Sequence, residues 1–166
     1  MVCLSNFSKQ FPRVSILVAC LLAGSLGLVC AASGPAPAAE VWEKPDLMQP
    51  EELAATLNDP NQEKPVVVFV GFDFLFRAAH IPGALYFGPG SKDSGVEGLK
   101  LWAADLEKDR AVVLYCGCCP WKACPNIRPA FNAVRRAGHA NVKALYLKSS
   151  LLEDWVDKGY PVEKGR

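Results

Sequence analysis

The sequence predicts an α/β domain with a mainly parallel central sheet. Two runs of β-branched and aromatic residues, at 66–70 (VVVFV) and 111–115 (AVVLY), are typical of strands buried on both faces. A weaker run of the same kind follows at 142–147 (VKALYL). Helical patterns lie between and after these runs. Because strands that alternate with helices pair in parallel and are covered by those helices, this order predicts a layered domain around one sheet.

Four helices are predicted around this sheet. The first begins at Pro50, since proline suits the first turn of a helix, and ends before Pro60. The others cover 98–108, 127–137 and 150–158, and the last two end at Gly138 and Gly159, residues typical of helix C-termini.

Three side-chain placements follow from the same patterns. Phe72, Phe74 and Phe76 alternate with other residues, which favours packing against the sheet over a substrate wall. His80 is expected to be structural, and His139 lies in the turn after Gly138, where we expect it to be exposed.

Residues 1–33 have the pattern of a signal peptide or an N-terminal anchor. Lys9 and Arg13 precede an uncharged apolar stretch at 14–32, and small residues follow it. The composition of residues 34–45 indicates a linker, and the folded domain is expected to span 46–164. The protein is therefore expected to be periplasmic or secreted, with membrane contact only if the leader is retained.

The charge balance disfavours nucleic acid as a partner. The chain has 18 Lys and Arg against 17 Asp and Glu, and removal of Lys9 and Arg13 with the leader leaves a slightly acidic domain without a basic stripe. About 130 residues remain, enough for one domain with its own core.

The cysteines of the predicted domain are concentrated in one loop. Of seven, Cys3, Cys20 and Cys30 belong to the leader, and the other four lie between positions 116 and 124. Cysteines so close together cannot link distant segments, so they indicate chemistry or metal binding. Cys116 directly follows a predicted strand, and the loop leads into a helix whose N-terminal amides can bind anions.

Three landmarks in this order resemble the rhodanese-like sulfurtransferase family. They are the HIPGA sequence at 80–84, a strand that leads straight into Cys116, and Trp155 followed by GYPV at 159–162. Positions 69–71 hold Phe-Val-Gly where the family usually has Asp-Val-Arg, and the loop CGCCPWKACPNIR is longer than the family's compact active loop. The resemblance is to a variant with an extended cysteine-rich loop.

The resemblance implies a three-layer rhodanese-like domain that moves sulfane sulfur through a persulfide on Cys116, without a cofactor. The donor would be a small sulfur-containing anion such as thiosulfate, and the acceptor a thiol, cyanide or sulfite. Lys122 and Arg128, in or beside the loop, are candidates to hold the anion, and Trp121 to shape or cover the sulfur site.

Two other functions remain open. Cys116–Cys119 has C-x-x-C spacing, so Cys118, Cys119 or Cys124 could act as a resolving or relay thiol in thiol–disulfide chemistry. Four thiolates in one loop could also form a non-enzymatic site for zinc or cuprous ion, although the spacing is not that of the usual structural zinc sites.

Overall fold

Five parallel strands form the central sheet, in the order β1-β5-β4-β2-β3. The computed structural model describes residues 41–165. The predicted signal peptide (1–33) and the first part of the predicted linker (34–40) lie outside them. The strands are β1 (Leu47–Met48), β2 (Val66–Phe69), β3 (Leu85–Tyr86), β4 (Val112–Tyr115) and β5 (Val142–Leu145). All four strand pairs are parallel, which confirms the predicted sheet.

The helices cover both faces of this sheet. They are α1 (Pro50–Asn58), α2 (Asp73–Ala78), α3 (Asp93–Asp105) and α4 (Ile127–Arg136), with short 3₁₀ helices at Lys44–Asp46 and Trp121–Ala123 and a π-helix at Leu152–Val156. The strand patterns explain the two cores. Side chains alternate along a strand, so Val68 and Leu114 pack with α3 and α4, whereas Val67 and Val113 pack with α1 and Trp155. The three-layer prediction is confirmed.

The HIPGA segment connects the sheet to the C-terminal end of the domain. The backbone N–H of His80 donates to the carbonyl of Glu163 at 2.9 Å, and Glu163 N–H donates back at 2.8 Å. The next N–H, that of Ile81, donates to the buried hydroxyl of Tyr115, the last residue of β4, at 3.0 Å. The segment therefore has a structural role, and it braces the strand that leads into the cysteine loop.

Two side-chain predictions are wrong. Residues 73–78 form α2, so successive side chains there point around a helix and do not alternate between two faces. Only Phe76 is buried, 5.6 Å from the Phe69 ring, while Phe72 and Phe74 are 41% and 64% exposed. His139 is fully buried, and its Nε2 donates to the carbonyl of Ala103 at 2.7 Å. Both errors arise because local pattern does not show which side chains a neighbouring element covers.

Residues 41–45, assigned to the linker from sequence, include a packed tryptophan. The Trp42 ring centroid lies 5.0 Å from those of Trp121 and Phe131. Within 41–165, none of the helices has the length and apolar character needed to cross a bilayer.

Candidate active site

The cysteine loop begins at the carboxyl end of β4 and ends at the start of α4. Cys116 is the first residue after the strand, and Asn126 immediately precedes the helix. Gly117 lets the chain turn at once, because its φ is +68° and a Cβ there would lie only 2.6 Å from the Cβ of Leu151. The 3₁₀ turn Trp121–Ala123 then brings the chain back across the same edge of the sheet. The loop thus returns Cys124 to the neighbourhood of Cys116.

All four loop cysteines are free thiols that lie side by side. The Sγ atoms of Cys116 and Cys118 are 3.0 Å apart, and those of Cys118 and Cys119 are 3.3 Å apart. The Sγ atoms of Cys116, Cys118 and Cys124 all lie within 4.8 Å of one another. The structure therefore brings together the predicted nucleophile and the three predicted relay thiols.

Asn126, which sequence reasoning missed, organises this group. Its side chain is fully buried, its Nδ2 donates to Cys116 Sγ at 3.2 Å and lies 3.5 Å from Cys118 Sγ, and its Oδ1 accepts the backbone N–H of Ser91 at 3.0 Å. An asparagine just before a helix is ordinarily interpreted as a cap, but this side chain makes no capping bond. The available signal was its position inside the cysteine loop.

Cys116 and Cys124 share a proton unequally. The Cys116 thiol, first, and the backbone N–H groups of Asn126 and Ile127 together outweigh the opposing effect of burial and lower the pKa of Cys124 to about 6. The pKa of Cys116 is raised, first by its bond to the Cys124 sulfur and then by burial. Near neutral pH the pair therefore carries one negative charge, centred on Cys124 at the start of α4.

Cys116 is only 3% exposed, yet it lines two cavities. One is a void of about 10 Å³, enclosed also by Cys119, Trp121 and Cys124. A void of that size holds about one water-sized atom. The other, of about 510 Å³, contains Cys116 and Cys118 in its lining. Trp121, predicted to shape or cover the sulfur site, lines the smaller void and is absent from the lining of the larger cavity.

The two predicted anion-binding residues are not in either of these cavities. Lys122 is exposed on the 3₁₀ turn, and the Arg128 guanidinium carbon lies 3.5 Å from the centroid of the Trp42 ring. Arg128 contributes to separate cavities along α4, beside residues such as Val96 and Phe131. Both residues are close to the cysteines in sequence, but neither lines a cavity that contains Cys116.

The thiol group could also hold a thiophilic metal ion. Soft thiolates suit zinc and cuprous ion, and Cys116, Cys118 and Cys124 are the residues whose sulfurs lie close enough. Cys119, beside Cys118, could supply a fourth ligand.

Comparison with known proteins identifies the fold. No protein-family model and no curated protein matches the sequence. Among solved structures, the rhodanese-like domain of the Alr3790 protein from Anabaena sp. is 23% identical, with a TM-score of 0.53 over 72% of this chain and 79% of that one. The BH2092 protein from Bacillus halodurans is 24% identical, with a TM-score of 0.54 over 70% and 75%.

A thiosulfate sulfurtransferase from Pseudomonas aeruginosa is also similar. It is 23% identical, with a TM-score of 0.51, and the match covers 72% of this chain but 19% of that protein. These likenesses agree with the α/β architecture around a parallel sheet. The protein has the rhodanese-like fold, in a form with an extended, cysteine-rich loop after β4.

Proposed function

We propose that the protein is a sulfurtransferase that takes sulfane sulfur from a donor as a persulfide on Cys116 and passes it to a thiophilic acceptor. The observation that carries the proposal is the Cys116–Cys124 pair. Cys116 lines the accessible cavity, and its Sγ lies within 4.8 Å of that of Cys124, whose negative charge is stabilised by the first amides of α4. A nucleophile beside a base is the arrangement that covalent catalysis requires.

In this proposal Cys124 is the base. As Cys116 attacks the outer sulfur of the donor, its proton moves to the Cys124 thiolate. The adjacent small void has room for about one atom, the size needed for the outer sulfur of a persulfide. Asn126 Nδ2, which donates to Cys116 Sγ, orients the attacking sulfur. A thiol, cyanide or sulfite then removes the sulfane sulfur and restores the free thiol. Because the first product leaves before the acceptor reacts, the enzyme alternates between a persulfide form and a free form, and ping-pong kinetics follow.

Intact-mass analysis before and after addition of a sulfur donor tests this proposal. We expect a gain of one sulfur in the wild type and none in Cys116→Ser, because serine removes the attacking sulfur. Cys118→Ser is the matched control and should still gain sulfur. Sulfur gain by Cys116→Ser, with loss of the gain in Cys124→Ser, would show that Cys124 is the nucleophile instead.

Thiol–disulfide chemistry is the second candidate, and the sulfur–sulfur distances of 3.0 and 3.3 Å favour it. The same mass measurement separates the two functions. A two-hydrogen deficit that a reductant restores indicates a disulfide, and native mass analysis of reduced protein reveals a bound metal ion. Export is part of the main proposal, and the mass of protein isolated from its host reports whether residues 1–33 have been removed.

A further inference from the structure

Three of the loop cysteines place their sulfur atoms around one point. The Sγ atoms of Cys116, Cys118 and Cys124 all lie within 4.8 Å of one another. They therefore share a centre at most about 2.8 Å from each atom (4.8 Å divided by √3), against about 2.3 Å for a zinc–thiolate bond. Cys116 and Cys118 also line the larger cavity, from which an ion can reach the group. Small side-chain shifts would let one thiophilic ion contact all three sulfurs.

The surroundings of these sulfurs supply no fourth ligand. Asn126 Oδ1 accepts the N–H of Ser91, which fixes the amide so that its Nδ2 faces the sulfurs, 3.2 Å from Cys116 Sγ. An amide N–H donates hydrogen bonds, so Asn126 would stabilise a thiolate and would not bind the ion. In the described part of the chain, no histidine or carboxylate joins the three sulfurs, and Cys119, although beside Cys118, lies outside the group.

The number of ligands distinguishes the ions that thiolates select. Structural zinc sites are almost always four-coordinate and tetrahedral, whereas cuprous ion, which soft thiolates also prefer, is stable with three sulfur ligands. We propose that Cys116, Cys118 and Cys124 form a three-coordinate thiolate site for cuprous ion. The backbone N–H groups of Asn126 and Ile127 face the Cys124 sulfur, so they would offset part of the negative charge that remains around a monovalent ion.

Binding of the ion involves no change of oxidation state. Copper enters as Cu⁺, forms three bonds to sulfur and remains cuprous, and the thiol protons leave to solvent. This site goes beyond sulfur transfer and does not depend on it, but the two share side chains. Cys116 would be both a copper ligand and the proposed nucleophile, and Cys124 both a ligand and the proposed base. A bound ion and a persulfide therefore exclude each other.

Anaerobic titration of the reduced protein with cuprous ion, in competition with the chromogenic chelator bathocuproine disulfonate, tests the proposal. The full-length chain is used with Cys3→Ser, Cys20→Ser and Cys30→Ser, so that only the loop thiols remain. We expect one ion per chain and, by X-ray absorption, three sulfur neighbours. Cys118→Ser should lower the affinity at least about a hundredfold, since loss of a ligand should exceed the 10–100-fold effect of an outer-shell partner, and Cys119→Ser should lower it less than about tenfold.

The outcomes separate this site from the proposed function, because the titration needs no sulfur donor. Equal copper affinity of the Cys118→Ser and parent proteins, both with native circular dichroism, would overturn the site. A preference for zinc with four sulfur neighbours, lost in Cys119→Ser, would overturn the cuprous assignment. If the protein transfers sulfur, the copper-loaded parent should gain none from a donor, whereas Cys118→Ser treated with the same copper–chelator mixture should still gain it. Sulfur gain by parent protein that retains its copper would contradict the shared use of Cys116.

Discussion

At the residue scale, the site depends on where one negative charge is held. Cys124 lies two residues before Asn126, and the amides that begin α4 point at its sulfur. Cys116, at the end of β4, has its own ionisation opposed by Cys124 and by burial. The two thiols therefore have different roles. Cys124 carries the negative charge at a helix terminus, and Cys116 faces the cavity.

These different roles predict how the rate of persulfide formation depends on pH. Because the pKa of Cys124 is lowered to about 6, the rate of persulfide formation should increase as pH rises through about 6 and level off above it. In Cys124→Ser no thiolate is available at that position, so Cys116 must ionise without help. The rise should then move above the ordinary thiol range, about 8.5. Stopped-flow rates between about pH 5 and 10 measure this.

Cys119→Ser provides the comparison for that experiment. Cys119 makes the last and smallest of the contributions that lower the pKa of Cys124, so its loss should displace the rise much less. A Cys124→Ser profile that still rises near pH 6 would mean that another group is the base.

At the scale of elements, the site depends on a tight turn between β4 and the loop. Gly117 combines a φ of +68° with close packing against Leu151, and its carbonyl accepts the N–H of Leu151 at 3.1 Å. The strand, the loop and the segment before the π-helix are joined at this residue. A side chain there would strain the backbone and push the π-helix region away from the sulfurs.

Gly117→Ala should therefore destabilise the domain more than Gly159→Ala does. Gly159 has a similar φ of +76° but no atom within 4 Å of its would-be Cβ, so its substitution carries only the backbone cost of about 1–2 kcal/mol. Overpacking at Gly117 should add about 1–3 kcal/mol. Urea unfolding monitored by tryptophan fluorescence measures both. Equal losses would show that the turn has room to adjust.

At the scale of the whole molecule, residues 80 and 81 link the C-terminal residues of the domain to the central strand β4. The HIPGA segment pairs with Glu163 near the end of the chain, and through Ile81 it donates to Tyr115, the residue before Cys116. The position of the reactive loop is thus linked to segments distant in sequence. Burial raises the pKa of Tyr115, so its hydroxyl stays neutral and keeps this bond across the physiological range.

Tyr115→Phe tests this connection. Removal of the hydroxyl leaves the buried N–H of Ile81 without its acceptor, which should cost about 1–3 kcal/mol in the free energy of unfolding. Tyr146→Phe is the matched control. Tyr146 is half-buried, its ring packs edge-on against Trp121, and its hydroxyl makes no hydrogen bond to the described part of the chain. Similar unfolding free energies for the two variants would contradict a bracing role for Tyr115.

The sequence by itself determined the three longer strands β2, β4 and β5, their alternation with helices, and the position of Cys116 at a strand end. These features can be predicted from the local hydrophobic pattern, because each strand and helix must bury its own apolar face. The two-residue strands β1 and β3 escaped prediction because a period cannot be recognised in so short a run.

The tertiary structure alone decided which side chains reach the site. In the folded protein the Asn126 side chain donates to Cys116 Sγ, the Arg128 guanidinium lies over the Trp42 ring, and Lys122 is exposed. All three residues lie within a few positions of the cysteines in sequence. It also decided that Cys124 stores the charge. The physical reason is that side-chain direction and the charge a thiol can hold depend on packing neighbours and nearby amides, which distant segments of the chain supply only after folding.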